Sequence, residues 1–184
     1  MASFDGAPRL FGTRRLVDDF NMRQLQQGTS KHPIENHDDG EQAAVARIPA
    51  SDFGRATGAN DGGLLAVLFV KVGARVMLRM NLCTRLGLVN GAVGTVVEII
   101  YPPGGRPPDP PHCILVQFDD YSGESCLPNA ERVVPVFRRR CFGQEGGDST
   151  RLQFPLTLAW AMTIHKCVNF ICFLGYCDGI ACVW

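Results

Sequence analysis

Thr163, His165 and Lys166 follow directly on a nearly continuous apolar run, RLQFPLTLAWAM at 151–162. A hydroxyl, an imidazole and an ammonium at the end of such a run have the pattern of a buried strand that delivers polar groups to a site. His165 taken alone would read as a satisfied core histidine. A second group of chemistry-bearing residues, Lys71, Arg75 and Arg79 with Arg85 beyond them, recurs at strand spacing. Such a row is either a solvated strand face or a groove that follows phosphates. Arg138, Arg139 and Arg140 form a third cluster, open to the same two readings. Glu35, Asp38, Asp39 and Glu41 fall in an expected loop.

The chain of 184 residues carries 18 Lys and Arg against 18 Asp and Glu. With no net charge there is no global field to draw it to a polyanion, so nucleic-acid binding would have to be local. Hydrophobic content of 46% and charged content of 20% are those of a globular protein. Met1 to Leu10 has no apolar core of useful length, so no signal peptide is read and the expectation is an intracellular protein. In that compartment the eight cysteines are expected as free thiols. Cys167, Cys172, Cys177 and Cys182 repeat every five residues, but no CxxC pair accompanies them, and the expectation is no metal site. The apolar tail holding them is interrupted by Asp178 and two glycines and is too short to span a bilayer.

The elements that must position these groups are legible in outline. Arg9–Phe11 reads as a strand, followed by a helix capped by Thr13, with Leu16, Val17, Phe20 and Leu25 as its apolar positions and Gly28 as its stop. Residues 28–63 are polar and Gly-rich, with a short strand expected within Ala43–Ile48. From Val72 to Leu82 even positions are apolar, while the odd ones include Lys71, Arg75, Arg79 and Asn81, which predicts one half-buried strand, basic outside. Asn90-Gly91 is a turn signal. Strands are expected over Gly94–Ile100, Cys113–Phe118 and Arg132–Phe137, with PPGGRPPDPP at 102–111 as an exposed connection. Short strands separated by tight turns in this density fit a small antiparallel barrel.

Three strings carry a family resemblance. PLTLAWAMTIHKC (155–167), LFGTRRLVDDFN (10–21) and KVGARVMLRMNL (71–82) with GLVNGAVGTVVEI (87–99) resemble the RecD-like, superfamily-one DNA helicases, above all the petite-integration-frequency branch and its relatives in rolling-circle transposons. The strings occur in that family's order. The resemblance implies an α/β remnant of the second RecA-like motor domain with an inserted SH3-like antiparallel barrel. It divides the chain into 1–63, leading into the motor domain; 64–142, the barrel; 143–167, the return with the TIHK motif; and 168–184, an aberrant apolar tail. It implies ATP and Mg²⁺ as cofactors of the intact family and single-stranded DNA as partner. It implies DNA-contact or coupling roles for Thr163, His165 and Lys166, work in replication, repair, recombination or telomere maintenance, and residence in nucleus or mitochondrion.

The residues also limit the chemistry. A helicase motor needs GxxxxGK[ST] to cradle phosphates, and no Gly-Lys pair exists in this sequence. Asp18-Asp19 lies in the expected helix and Asp119-Asp120 enters a turn, so neither reads as a Mg²⁺ site. After Cys167 the family would continue with Gln-Gly, whereas Val168-Asn169 opens the unrelated tail. Val-Asn codons begin GTNAA, compatible with an intron donor read through. The expectation is a truncated helicase piece, inactive alone and needing no cofactor itself. The alternative is a single-stranded nucleic-acid or protein-binding module formed by the barrel. A third reading is an unstable product without function.

Overall fold

The computed structural model describes residues 8–27, 45–53, 63–107, 109–142 and 150–166. Gly28 as helix stop, the acidic stretch at 35–41, and the tail with its four cysteines and Val168-Asn169 lie outside the described residues. No helix among the described residues is long and apolar enough to cross a membrane.

The chain opens with strand β1 (Arg9–Phe11) and helix α1 (Arg14–Gln26). Thr13 sits in extended backbone and its hydroxyl accepts from the Leu16 amide at 3.4 Å, satisfying a donor that the first turn leaves orphaned. The inward stripe differs from the expected one. Leu16 is half exposed, whereas Asn21 and Leu25 are buried and Val17 is half-buried. A 17/21/25 row recurs at i, i+4, with a polar residue at its centre. Phe20 packs against Phe11, ring centroids 5.5 Å apart, and the Arg9 guanidinium lies over its face.

Strands β2 (Ala46–Pro49) and β4 (Val67–Val70) form one antiparallel pair. Strands β3 (Ser51–Phe53), β9 (Arg139–Phe142) and β10 (Thr150–Gln153) form a three-stranded sheet with β10 central. The largest sheet is antiparallel, in the order β11 (Leu156–Leu158), β5 (Arg75–Leu78), β6 (Val93–Ile100), β7 (Cys113–Phe118) and β8 (Val133–Val136). β12 (Ala161–Thr163) pairs in parallel with β1. The result is a β-rich α/β fragment. Strands fall at the expected Gly94–Ile100, Cys113–Phe118 and Arg132–Phe137 to within a residue, but the five-stranded sheet is open between β11 and β8, and no closed barrel is seen among the described residues. Edge strand β11 belongs to the segment carrying TIHK, so segments 64–142 and 143–167 share this sheet.

Two expectations are corrected. The apolar run at 151–162 is not one buried strand: it becomes β10, β11 and β12, each in a different sheet. Pro155 has no amide for a ladder, and the chain changes sheet there. The predicted strand from Val72 to Leu82 is likewise broken. Gly73 at φ 78 makes a turn, with the Ala74 amide donating to Lys71 O, and only Arg75–Leu78 is strand. The turn swings Lys71 inward, leaving it only 4% exposed. β5 is then buried on both faces: Val76 and Leu78 enter the main core, while Met77 meets Ala159 and Met162 and so ties the large sheet to β12.

Glycines in the matched strings have steric reasons to be there. A Cβ on Gly94 would lie 2.5 Å from Gln117 O, so β7 can approach β6 there only against a glycine. Gly91 has φ 106, in the Asn90-Gly91 turn, where the Asn90 amide donates to Asn81 Oδ1 at 2.7 Å.

Burial separates two ion pairs of similar form. Arg151, 2% exposed, donates Nε to Asp52 Oδ1 at 2.6 Å, Nη2 to Oδ2 at 2.8 Å and Nη1 to Leu64 O at 3.2 Å, joining β10, β3 and the approach to β4. Arg75 donates Nη1 to Asp119 Oδ1 and Nη2 to Oδ2, but side-chain exposures of 22% and 46% leave that pair wet. Asp52→Asn should therefore cost about 3 kcal/mol by removing the carboxylate that neutralises a buried guanidinium, and Asp119→Asn no more than about 1 kcal/mol. Urea unfolding of the two variants checks this; equal losses would mean that burial does not decide the difference.

Candidate functional site

The site residues hang on one clamp. Asn21 of α1 accepts from the Ala161 amide at 2.8 Å and donates its side-chain nitrogen to Ala161 O at 3.2 Å and Leu158 O at 3.4 Å. A single buried amide thus fixes the end of β11 and the start of β12 against the helix. The Arg9 amide adds a bond to Trp160 O at 2.9 Å. Parallel register then sets Arg9 opposite Ala161 and Phe11 opposite Thr163, so both strands end together. One runs on into the Thr13 cap and α1, the other into a helical turn at Ile164–Lys166. In open α/β sheets the carboxyl ends of parallel strands are where ligands sit.

Thr163 is half-buried at the end of β12, Ile164 and His165 are exposed, and Lys166 is partly covered. Burial pushes the Lys166 ammonium down to about 8, and the charges acting on it, Arg79 and Arg14, push in the same direction. Arg79 is itself lowered, by burial first and then by Arg14, with Asp18 opposing. Asp18 is raised by burial and by Asp19, against the pull of Arg14 and Arg79. Arg79 and Lys166, both anticipated, thus feel Arg14, which was not, and Asp18 opposes at Arg79. Arg14 follows the capping Thr13 directly, within the string at 10–21. Asn21 could have been noticed as a polar residue on the apolar stripe.

The other basic residues are engaged elsewhere. Lys71 is not on an outward face: its ammonium donates to Gln27 O at 3.2 Å, a cation on the carbonyl end of α1. Arg75 is held by Asp119 and also donates to Thr95 Oγ1 at 3.1 Å. Arg139 and Arg140 are exposed on β9 and Arg138 is half-buried. Cys83, Cys113, Cys126 and Cys141 are free thiols, and burial pushes the last three up. Among the described residues no group of three or more His, Cys, Asp or Glu is placed to hold a metal ion.

The parallel strand pair and the capped helix thus hold Thr163, His165 and Lys166 at one end, where Arg79 and Arg14 act on Lys166. The chain is similar to ATP-dependent DNA helicases named PIF1: 39% identical over 100 residues to that of Rattus norvegicus, 40% over 102 residues to that of Danio rerio and 38% over 100 residues to that of Homo sapiens. Each match takes in 54% of this chain, and the chain spans only 13% of the length of these relatives. No family model matches. The fold is similar to that of Pif1 helicase from Candida albicans, at TM-score 0.58 and 24% identity over 88% of this chain and 36% of that one. It is also similar to Bacteroides Pif1 bound to single-stranded DNA, at TM-score 0.53 and 20% identity over 90% of this chain and 33% of that one.

Asn21→Ala should cost about 2–3 kcal/mol, because the Ala161 amide loses its partner in a buried place. Asn21→Asp should be at least as harmful, since it turns a carboxylate oxygen toward two carbonyls. Chemical denaturation of both variants tests the clamp. An Asp variant as stable as the parent would show that the donated bonds carry nothing.

Proposed function

We propose that this chain is a portion of the second motor half of an ATP-dependent DNA helicase, which touches a single DNA strand at the carboxyl ends of β1 and β12 and does not turn over ATP alone. The observation that carries this reading is the placement of Thr163, His165 and Lys166 at those strand ends, inside the string that resembles the helicase motif. In the intact enzyme, ATP and Mg²⁺ would be held chiefly by a phosphate loop, and this sequence has no Gly-Lys pair to supply one. By the same likeness the chain would serve replication, repair, recombination or telomere maintenance, in nucleus or mitochondrion.

A second reading, a single-stranded nucleic-acid or protein-binding module built on the SH3-like part, is favoured by β9. There Phe142 is 73% exposed on the strand that also carries exposed Arg139 and Arg140. An aromatic face beside arginines suits base stacking and phosphate contact.

The purified chain should hydrolyse no ATP, with or without DNA, because catalysis needs the phosphates positioned. DNA-stimulated turnover that survives purification and vanishes in His165→Ala would overturn this.

Binding to an oligothymidylate should be weak and steeply salt-dependent, each neutralised phosphate adding about 0.7 to the slope. Charge reversal at Arg79 and Lys166 should remove most of it. Arg75→Glu should matter less, since Asp119 already neutralises Arg75. If Phe142→Ala with Arg139→Glu abolishes binding instead, β9 is the interface and the second reading stands.

A further inference from the structure

We propose that the tip of the β6–β7 hairpin is a docking element for a protein partner whose groove is lined by aromatic side chains. Pro102 and Pro103 enter the groove and Arg106 meets a carboxylate at its rim. This surface is separate from the strand end at Thr163. Val93 packs on the cluster of Met77, Ala159 and Met162, and β6 then carries the chain about 20 Å onward to Ile100.

Six of the chain's twelve prolines fall within PPGGRPPDPP at 102–111. A hairpin turns with far fewer residues than this. The mouth of the loop is already closed by the His112 amide on Ile100 O at 2.7 Å. Beyond it Pro102, Pro103, Arg106, Pro107, Asp109 and Pro110 are exposed, and among the described residues of the loop only Pro111 is buried. The loop therefore adds almost nothing to the core and is shaped by its own turns. The Gly105 amide donates to Pro102 O at 2.8 Å with Gly104 at φ 76, which is a type II turn. The Asp109 amide closes a second turn on Arg106 O at 2.8 Å, and the Asp109 carboxylate accepts from the Arg106 amide at 3.3 Å.

The turns decide what faces outward. Tyr101 precedes a proline and Pro102 precedes another, so both are confined to extended or polyproline backbone. Pro103, second in a type II turn, has nearly the same dihedrals. Residues 101–103 thus make one preformed turn of polyproline helix, which Gly104 ends. Pyrrolidine rings are apolar and have no amide, and the Pro103 carbonyl accepts no hydrogen bond from the described residues. The complement of such a segment is a groove of aromatic rings that lie against the prolines, with an indole or phenol hydrogen donated to the carbonyl. Asp109 is turned back on its own loop, and the Arg106 guanidinium has no ion pair among the described residues. A carboxylate at the groove's rim would supply one. A segment ordered before it binds loses little freedom on docking.

The full chain, immobilised, would be titrated with purified SH3, WW and EVH1 domains, whose grooves have this chemistry, by biolayer interferometry. We expect saturable binding by at least one of them. Pro102→Ala combined with Pro103→Ala should weaken it at least tenfold. Arg106→Glu should weaken it several-fold, as should Gly104→Val, which cannot hold the positive φ. Phe142→Ala with Arg139→Glu should leave it unchanged. Far-ultraviolet circular dichroism like the parent's in the loop variants would show that the losses come from the tip and not from unfolding; Arg106→Glu, a substitution outside both turns' ring contacts, serves if the proline variant is perturbed. No binding by any of these domains, or binding that survives both the proline and the Arg106 variants, would overturn the proposal. Oligothymidylate binding that falls in the same variants, without domain binding, would make the tip a nucleic-acid contact and overturn it as well. Domain binding lost in variants that still bind oligothymidylate as the parent does would support a protein-docking tip independent of the strand contact.

Discussion

The structure depends on the side-chain amide of Asn21 more than on any one apolar contact. Ala161 and Asn21 lie 140 residues apart, and a two-stranded parallel pair with short strands gains little from its own ladder. The amide supplies both an acceptor and a donor to backbone groups that leave one sheet and enter another. Without it the Ala161 amide and the Leu158 and Ala161 carbonyls would lose a partner in a buried place, which folded chains seldom tolerate. Ile164, His165 and Lys166 follow directly on that clamp.

Charge is then distributed by burial. In a chain with no net charge the cations are treated unequally, and among the described residues two of them, Lys71 and Arg151, are buried. Arg151 is buried and paired with the more exposed Asp52, Lys71 caps the carbonyl end of α1, and Arg75 is held by Asp119 at the surface. Burial lowers both Arg79 and Lys166, and Arg14 acts on each in the same direction, with Asp18 opposing at Arg79.

The likeness to helicases acquires a physical form here. The strings at 10–21 and 155–167 read as separate matches in the sequence, yet in the structure they are one unit: β1 against β12, Asn21 against Ala161, Arg14 near Lys166. The string at 71–99 supplies the support behind them, since Met77 packs on Ala159 and Met162. The fold likeness extends over most of the chain, although the identity that accompanies it is low.

The sequence by itself determined the local pieces. The Thr13 cap, the strands at Arg9–Phe11 and Cys113–Phe118, the Asn90-Gly91 turn and the polar group at Thr163, His165 and Lys166 all follow from short-range chemistry, in which a cap, a glycine or an alternation acts within a few residues. Only the tertiary structure decided which way the basic residues face. Strand alternation placed Lys71 outside, but the turn at Gly73 breaks the period and sends it under α1. Periodicity read RLQFPLTLAWAM as one strand, because apolar character says that a residue is covered and not by which sheet. The partners of Arg14, Asp18, Asn21 and Arg151 come from parts of the chain that local pattern cannot pair. Their roles are set by distance in space and by what burial does to a charge or an amide.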